Sequence, residues 1–313
     1  MPRTEPAVKE GILIRGIGSF YTAAEKDGTE WIVRCKKKFR HQHISPLVGD
    51  EILFTPGQGE EHGWIEEILP RRTVCIRPPA ANVDRMLIVT APVPEPDLIL
   101  VDRLLLHADR QGMEAVIVCN KSDMGPGLGV KLRDQYGGTG IPVLTVSSAP
   151  DEAWIRELPE DMRASAGLQA LRKRMENGLN CFAGQSGVGK TTLLNSLMGT
   201  DMETGELSEK IARGRNTTRR AELLIKNGLR VLDTAGFSLL EFDSVFPPLE
   251  LKEAWPEFRQ YEGSCRFEPC YHDREPGCAV TKACADGMIH PERLERYRKL
   301  LQESRESWKD RYH

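Results

Sequence analysis

The residues best suited to chemistry are Gly184-Gln-Ser-Gly-Val-Gly-Lys-Thr-Thr192, which fit G-x-x-x-x-G-K-[ST] between an apolar run, Leu179 to Ala183, and a helix-like run, Leu193 to Leu197. Gly184, Gly187 and Gly189 let the backbone curl its N–H groups around an anion, with the amides of Gln185, Ser186 and Val188 between them. A helix starting at Lys190 adds partial positive charge at the same point. Lys190 then reaches the β- and γ-phosphates of a nucleotide, Thr191 holds Mg²⁺, and Thr192 completes the phosphate-binding set.

Asn120-Lys-Ser-Asp123 is the set expected for reading guanine. The Asp123 carboxylate accepts the ring N1–H and the exocyclic N2–H together, whereas adenine offers no such pair of donors and leaves a buried acid unpaired. Lys121 lays its stem along the base, Asn120 ties neighbouring loops, and Ser122 completes the motif. A second polar stretch, Ser147-Ser148-Ala149, supplies a backbone N–H for the guanine O6. Further on, Asp233-Thr-Ala-Gly236 places a carboxylate for Mg²⁺ and a glycine N–H for the γ-phosphate, and Thr217 or Thr218, with Thr218 preferred, completes the magnesium shell. The catalytic candidates are therefore Lys190, Thr218, Gly236 and Asn216. Phe237 follows this motif, and an apolar side chain cannot position water, so a hydrolytic step at such a site should be slow.

A separate constellation lies near the end. Cys265, Cys270, His272 and Cys278 offer three thiolates and an imidazole within fourteen residues, a closed tetrahedral set of the structural zinc type, although iron can also occupy thiolates. Cys284 is a spare thiol nearby.

The elements that must position these groups follow a changing pattern. Short β segments around Ile12–Ile14, Trp31–Cys35, Glu51–Phe54, Trp64–Ile68 and Thr73–Ile76 predict a small closed barrel of the OB type over residues 1–80. Arg34, Lys36, Lys37, Lys38 and Arg40, flanked by Trp31, Phe39, His41 and His43, form a basic and aromatic run suited to RNA. After Pro78-Pro79, strands at Met86–Thr90, Ala115–Cys119 and Val143–Ser147 alternate with helices at Leu98–Arg110 and Leu168–Met175, the signature of a parallel sheet. Residues 201–220 read as a mobile loop, and a hairpin turns at Asn227-Gly228 to deliver Asp233. A helix after Pro291 carries an apolar stripe of Leu294, Tyr297, Leu300, Leu301 and Trp308 with Arg293, Arg296, Arg298 and Lys299 as a basic rim.

Composition bounds the function. The 313 residues suggest two or three domains, and a net charge of −3 argues against a protein that coats nucleic acid by bulk charge. Met1 to Glu10 contains no apolar export segment, and the most apolar stretch, Leu98 to Leu106, is interrupted by Asp102 and Arg103, so a cytoplasmic protein without a membrane span is expected.

The base-reading motifs precede the phosphate loop and the switch motifs follow it. This circular permutation, with a β-barrel before it and a cysteine cluster after it, resembles the RsgA/YjeQ family of ribosome small-subunit-dependent GTPases. The resemblance implies an OB domain (1–80), a circularly permuted P-loop GTPase domain (81–240) and a C-terminal α-helical zinc domain (241–313). It also implies GTP and GDP as ligands, Mg²⁺ with GTP, one structural Zn²⁺ per chain, and action late in assembly of the small ribosomal subunit through contact with its rRNA. A monomer is expected. One departure stands out: members of that family commonly carry His just before the threonine pair, where this chain has Asn216, which accepts no proton at neutral pH. Two competing readings keep every motif, an RNA-binding scaffold whose nucleotide only gates affinity and a GTPase for a different RNA.

Overall fold

The computed structural model describes residues 7–41, 44–57, 61–75, 79–149, 151–200, 221–233 and 246–309. In chain order the strands are β1 (Lys9–Ile17), β2 (Phe20–Ala24), β3 (Glu30–Cys35), β4 (Glu51–Thr55), β5 (Gly63–Ile68), β6 (Val74–Cys75), β7 (Ala80–Ala81), β8 (Arg85–Thr90), β9 (Glu114–Cys119), β10 (Val143–Thr145), β11 (Leu179–Ala183), β12 (Glu222–Lys226) and β13 (Leu229–Asp233). The α-helices are α1 (Lys37–His41), α2 (Leu98–Arg110), α3 (Gly127–Tyr136), α4 (Glu160–Arg163), α5 (Gly167–Met175), α6 (Lys190–Met198), α7 (Pro248–Glu253), α8 (Ala279–Ala285) and α9 (Pro291–Lys309). The chain divides into two compact units, one made of Met1–Met86, Arg174–Phe182 and Met198–Ser238, the other of Leu87–Lys173, Ala183–Leu197 and Leu239–His313.

In the first unit, β1 pairs antiparallel with both β2 and β4, β2 pairs with β3, β3 runs parallel to β5, and β5 returns antiparallel to β4. The ring of pairings closes, which removes every free edge and gives the five-stranded OB barrel. Alternation does the rest: Leu13, Ala23, Val33, Ile52, Phe54 and Ile65 face inward and form one core. Two expectations are corrected. In the segment predicted as a fifth strand at Thr73–Ile76, the described residues form a strand at Val74–Cys75, paired with Ala80–Ala81 outside the barrel. Its place is taken by β2, whose Phe-Tyr-Thr start after Gly18-Ser19 is a readable strand signal. Beyond the barrel, β1 continues into the same unit's hairpin, with Arg15 opposite Glu222 of β12 and its Nε 3.0 Å from the Glu222 carboxylate. That hairpin turns through Asn227 (φ 51°) and Gly228 (φ 76°), the left-handed pair that an Asn-Gly sequence favours, and β13 runs parallel to β11.

In the second unit the strand order is β10-β9-β8, with β9 and β10 parallel. Val143–Ser147 ends as a strand at Thr145. Helix α3 was not foreseen, because glycines at 127 and 129 mask its period. Gly129 is required there, since a Cβ would lie 2.5 Å from the Thr145 methyl of β10. Asp97 caps α2 by accepting from the N–H of Leu100 at 2.9 Å.

The C-terminal part of this unit has its own apolar cluster, in which Trp255, Phe258 and Tyr297 meet edge-on and Leu251, Val280, Ile289, Leu294 and Leu301 fill the remaining space. Leu106 of α2 joins it. Beside it lies a buried ionic group. Asp102 of α2 is 0% exposed and accepts from Arg293, from Arg296 Nε at 2.5 Å and from the Tyr136 hydroxyl at 2.6 Å. Glu257 takes Arg293 in a two-point fork at 2.6 and 2.8 Å, and the Arg293 guanidinium is sandwiched between the rings of Tyr136 and Trp255. The sequence reading placed Arg293 and Arg296 in a basic rim around the apolar stripe of α9; they are 1% and 7% exposed, because two acids from other elements neutralise them. Among the described residues, no helix is long and apolar enough to cross a membrane.

Removing one partner from a buried ion group strands the other charges. Asp102→Ala should therefore destabilise the fold by about 3–5 kcal/mol in denaturant unfolding; a change under about 1 kcal/mol would show that the two arginines find solvent or another partner.

Candidate guanine nucleotide and metal sites

The phosphate loop leaves β11 at Gly184. This glycine has φ 133° and an added Cβ would lie 2.1 Å from the carbonyl oxygen of Val89, so the loop can start where it does only without a side chain. Gly187 and Gly189 also adopt positive φ, at 80° and 90°. Lys190 opens α6, and its ammonium donates to the carbonyls of Gly184 and Gln185, both at 2.8 Å. Desolvation by burial lowers the Lys190 pKa to about 8. Gln185 faces the start of α2, accepting from the Asp97 N–H at 3.3 Å. Thr191 and Thr192 follow on the first turn of α6, partly buried and exposed respectively, and Ser186 is exposed.

The base-reading motif is fastened to this loop. Asn120 Nδ2 donates to the carbonyl of Val188 at 2.9 Å, and the Lys121 ammonium donates to Gly187 and to Val93, both at 2.8 Å. Lys121 itself adopts φ 57°, which turns the chain abruptly after β9. Ser122 anchors the turn through its hydroxyl to the Cys119 carbonyl at 2.9 Å and its N–H to the Val146 carbonyl at 3.0 Å. The Ser147 hydroxyl donates to the Asp123 carboxylate and accepts from the Ala149 N–H. Thus Asn120 and Lys121 meet the phosphate loop at Val188 and Gly187, and Asp123 is held by Ser147 in the same base-reading motif. Two buried oxygens, Asn120 Oδ1 and Ser148 Oγ, have no hydrogen-bond partner among the described residues.

Among the Mg²⁺ candidates, Thr191 stands on the loop and Asp233 is the last residue of β13. Asn216, Thr217, Thr218, Gly236 and Phe237 lie outside the described residues. The sequence reading missed two positioning groups: Asp97, which was legible as an N-cap before an apolar run, and the Val93 carbonyl, which carries no sequence signal.

The second constellation is compact. Ligand atoms of Cys265, Cys270, His272 and Cys278 all lie within 4.8 Å of one another, so the group could hold a metal ion. His272 Nδ1 is 3.6 Å from Cys265 Sγ and 3.5 Å from Cys278 Sγ. Zn–S near 2.3 Å and Zn–N near 2.0–2.1 Å at a tetrahedral angle put S and N about 3.6 Å apart, so the four fit a zinc site. Main-chain donors support thiolate character: the Ala279 N–H points at Cys265 Sγ and the Thr281 N–H at Cys278 Sγ, each at 3.4 Å. Burial, with Cys265 and Cys278 alongside, pushes the Cys270 thiol up to about 12, and burial lowers the His272 pKa. Four such groups crowd together comfortably as ligands only when a cation offsets the thiolate charge. Glu275 shapes the loop by accepting the N–H groups of Tyr271 and Asp273 at 2.9 and 2.8 Å, a role no sequence pattern announces. Cys284, the spare thiol, is outside the four-ligand group and packs against the apolar cluster.

On the barrel, two of the aromatic residues expected to meet RNA are otherwise engaged: Phe39 of α1 is buried in the barrel core, and Trp31 donates its indole N–H to Glu25 at 2.6 Å. Lys36 is paired with Glu66. His43 lies outside the described residues.

A phosphate loop joined to a guanine-reading motif that precedes it in the chain defines a circularly permuted P-loop GTPase. Comparison with known proteins agrees: the family model RsgA GTPase matches residues 68–243, and the RsgA N-terminal domain matches residues 10–65. Relatives named small ribosomal subunit biogenesis GTPase RsgA are 40% identical over 296 residues in Ruminiclostridium cellulolyticum (93% of this chain, 92% of the relative) and 40% over 298 in Moorella thermoacetica (94% and 97%). The crystal structure of YjeQ from Thermotoga maritima superposes with TM-score 0.78 at 29% identity, covering 95% of this chain and 99% of that one. YloQ, a circularly permuted GTPase, gives 0.74 at 26% identity, covering 98% of both. The chain belongs to the RsgA GTPase family and is a GTP hydrolase.

Two outcomes follow. Lys190 must be protonated to meet a phosphate, so nucleotide affinity should fall as pH rises above about 8, and calorimetry should register proton uptake on binding there. Affinity that stays flat between about pH 7 and pH 9 would place the amine's pKa well above that range. Metal analysis should find about one zinc per chain, and chelation should strip hydrogen-exchange protection from residues 265–285. Unchanged protection after metal loss would make the four residues a metal-free cluster.

Proposed function

We propose that this GTPase serves maturation of the small ribosomal subunit, which stimulates its hydrolysis of GTP to GDP and phosphate late in assembly. The observation that carries this reading is that relatives named for that role align with nearly the whole chain, barrel and cysteine cluster included, and not with the GTPase core alone. Asp123, held by Ser147, accepts the two guanine donors, and Ser148 offers its N–H to O6. The phosphate loop from Gly184 to Thr192 cradles the phosphates, with Lys190 on the β- and γ-groups. Thr191, Thr218 and Asp233 hold Mg²⁺, which screens the phosphate charge, and the Gly236 N–H meets the γ-phosphate. Cys265, Cys270, His272 and Cys278 hold one structural zinc ion.

The chain's own residues leave the hydrolysis incomplete. Phe237 has no group to orient water and Asn216 cannot serve as a base, so Asn216, Thr218 and the 201–220 loop complete the site when the subunit and its rRNA order them. The functional division is into a barrel (1–80), a permuted GTPase domain (81–240) and a zinc domain (241–313). Because Phe237 and Ser238 lead directly from the γ-phosphate motif toward the zinc domain, nucleotide state is read out there. The protein acts in the cytoplasm as a monomer.

Single-turnover hydrolysis with purified small subunits should exceed the isolated rate by at least about tenfold. Equal rates with and without subunits, or equal stimulation by large subunits, would refute the assignment.

A further inference from the structure

The outer face of the barrel carries a row of side chains that nothing in the nucleotide or metal chemistry uses. Register places Ile17 of β1 opposite Phe20 of β2, Phe20 opposite Arg34 of β3, and Arg34 opposite Trp64 of β5, so the four are direct cross-strand neighbours along one belt. Their inward-facing neighbours Val33 and Ile65 are fully buried, which fixes Arg34 and Trp64 on the outside. Phe20 is 38% exposed, Trp64 43%, Ile17 49% and Ile32, two positions along β3, 46%. So much aromatic and aliphatic surface left to water over adjacent strands marks a binding face. The Arg34 guanidinium lies 4.9 Å from the Phe20 ring centre and 5.9 Å from that of Trp64, and no carboxylate among the described residues pairs with it. Glu66, on the same side of β5 as Trp64, is already matched by Lys36 and by the Thr55 hydroxyl. His62 adds an edge-on ring to Phe20 at 4.9 Å.

We propose that Phe20, Arg34 and Trp64 form a stacking platform for unpaired RNA bases. This rests on the RNA partner in the proposed function and names the form of RNA and the residues that take it. Two partly exposed aromatic rings flank a cation that no carboxylate among the described residues pairs with, the combination that holds a single strand by base stacking and phosphate neutralisation. The rings stand two strand spacings apart, about 9–10 Å, so they take separate bases and not one base between them. A duplex keeps its bases stacked inside the helix and presents no face to either ring. Within the basic run, Arg34 meets this platform, whereas Lys36 and Lys38 are turned to Glu66.

The test uses the full chain and labelled oligoribonucleotides of about eight nucleotides, single-stranded and as a duplex. Wild type should prefer the single strand. Phe20→Thr/Trp64→Thr, which alters only exposed strand positions, should lose about tenfold or more of that affinity, with the thermal melt and basal GTP hydrolysis unchanged. Arg34→Gln should lower the salt-dependence slope by about 0.7. Equal binding of single strand and duplex by wild type, or undiminished single-strand affinity in the double variant, overturns the platform. So does a wild type that binds no oligonucleotide while the double variant loses subunit affinity, which would make the row a protein contact. Failure of the proposed function reads out separately, as absence of subunit stimulation in wild type.

Discussion

The hydrogen bond from Asn120 Nδ2 to the carbonyl of Val188 joins two loops 68 residues apart in the chain, and the nucleotide site depends on it. The Lys121 ammonium doubles the tie at Gly187 and extends it to Val93. These bonds tie the Asn120–Asp123 motif to the loop that follows β11, and Ser147 donates to the Asp123 carboxylate. Chain order becomes secondary. Guanine and phosphate must be held at a fixed separation, and side-chain bonds across loops achieve this whichever motif is translated first. This is the physical reason a circular permutation preserves the chemistry.

Helix α2 links that site to the C-terminal part of the same unit. Its capping residue, Asp97, offers its N–H to Gln185 of the phosphate loop, and one turn later Asp102 receives Arg293 and Arg296 from α9. Two carboxylates and two guanidinium groups are removed from water together, with Tyr136 and Trp255 covering the faces of Arg293. Such a group adds little net stability over an apolar substitute, but removing one of its partners leaves a buried charge unpaired. The apolar cluster beside it, with Trp255, Phe258 and Tyr297 at its centre, supplies the burial, and Cys265, Cys270, His272 and Cys278 beside it form a group that could hold a metal ion.

The barrel obeys a different rule. Its closure consumes every strand edge, so only side chains on the outer face remain for contacts. That face carries Phe20, Arg34 and Trp64 in lateral register, while the interior takes Phe39 and the alternating aliphatics. Sequence proximity misleads here: Trp31 and Phe39 stand beside the basic run in the chain, yet Phe39 lies in the core and Trp31 bonds Glu25.

Local pattern alone determined the phosphate loop, the guanine motif, the four metal-type ligands, helix α2, strand β11 and the Asn-Gly hairpin, because each depends on residue types at fixed short spacing. Pairing across long separations was beyond it. The two-residue strand at Val74–Cys75 and the helix at Gly127–Tyr136 are decided by which neighbours they meet, as the close approach of Gly129 to Thr145 illustrates. Arg293 and Arg296 make the same point energetically: in a helix pattern an arginine beside an apolar stripe reads as solvent-facing, and only the folded chain brings Asp102 and Glu257 close enough to offset the cost of burying it. The sequence by itself therefore specified which chemistry the chain can carry. The tertiary structure decided which charges lie inside and which aromatic rings stay outside, since burial depends on compensation by groups far away in the chain.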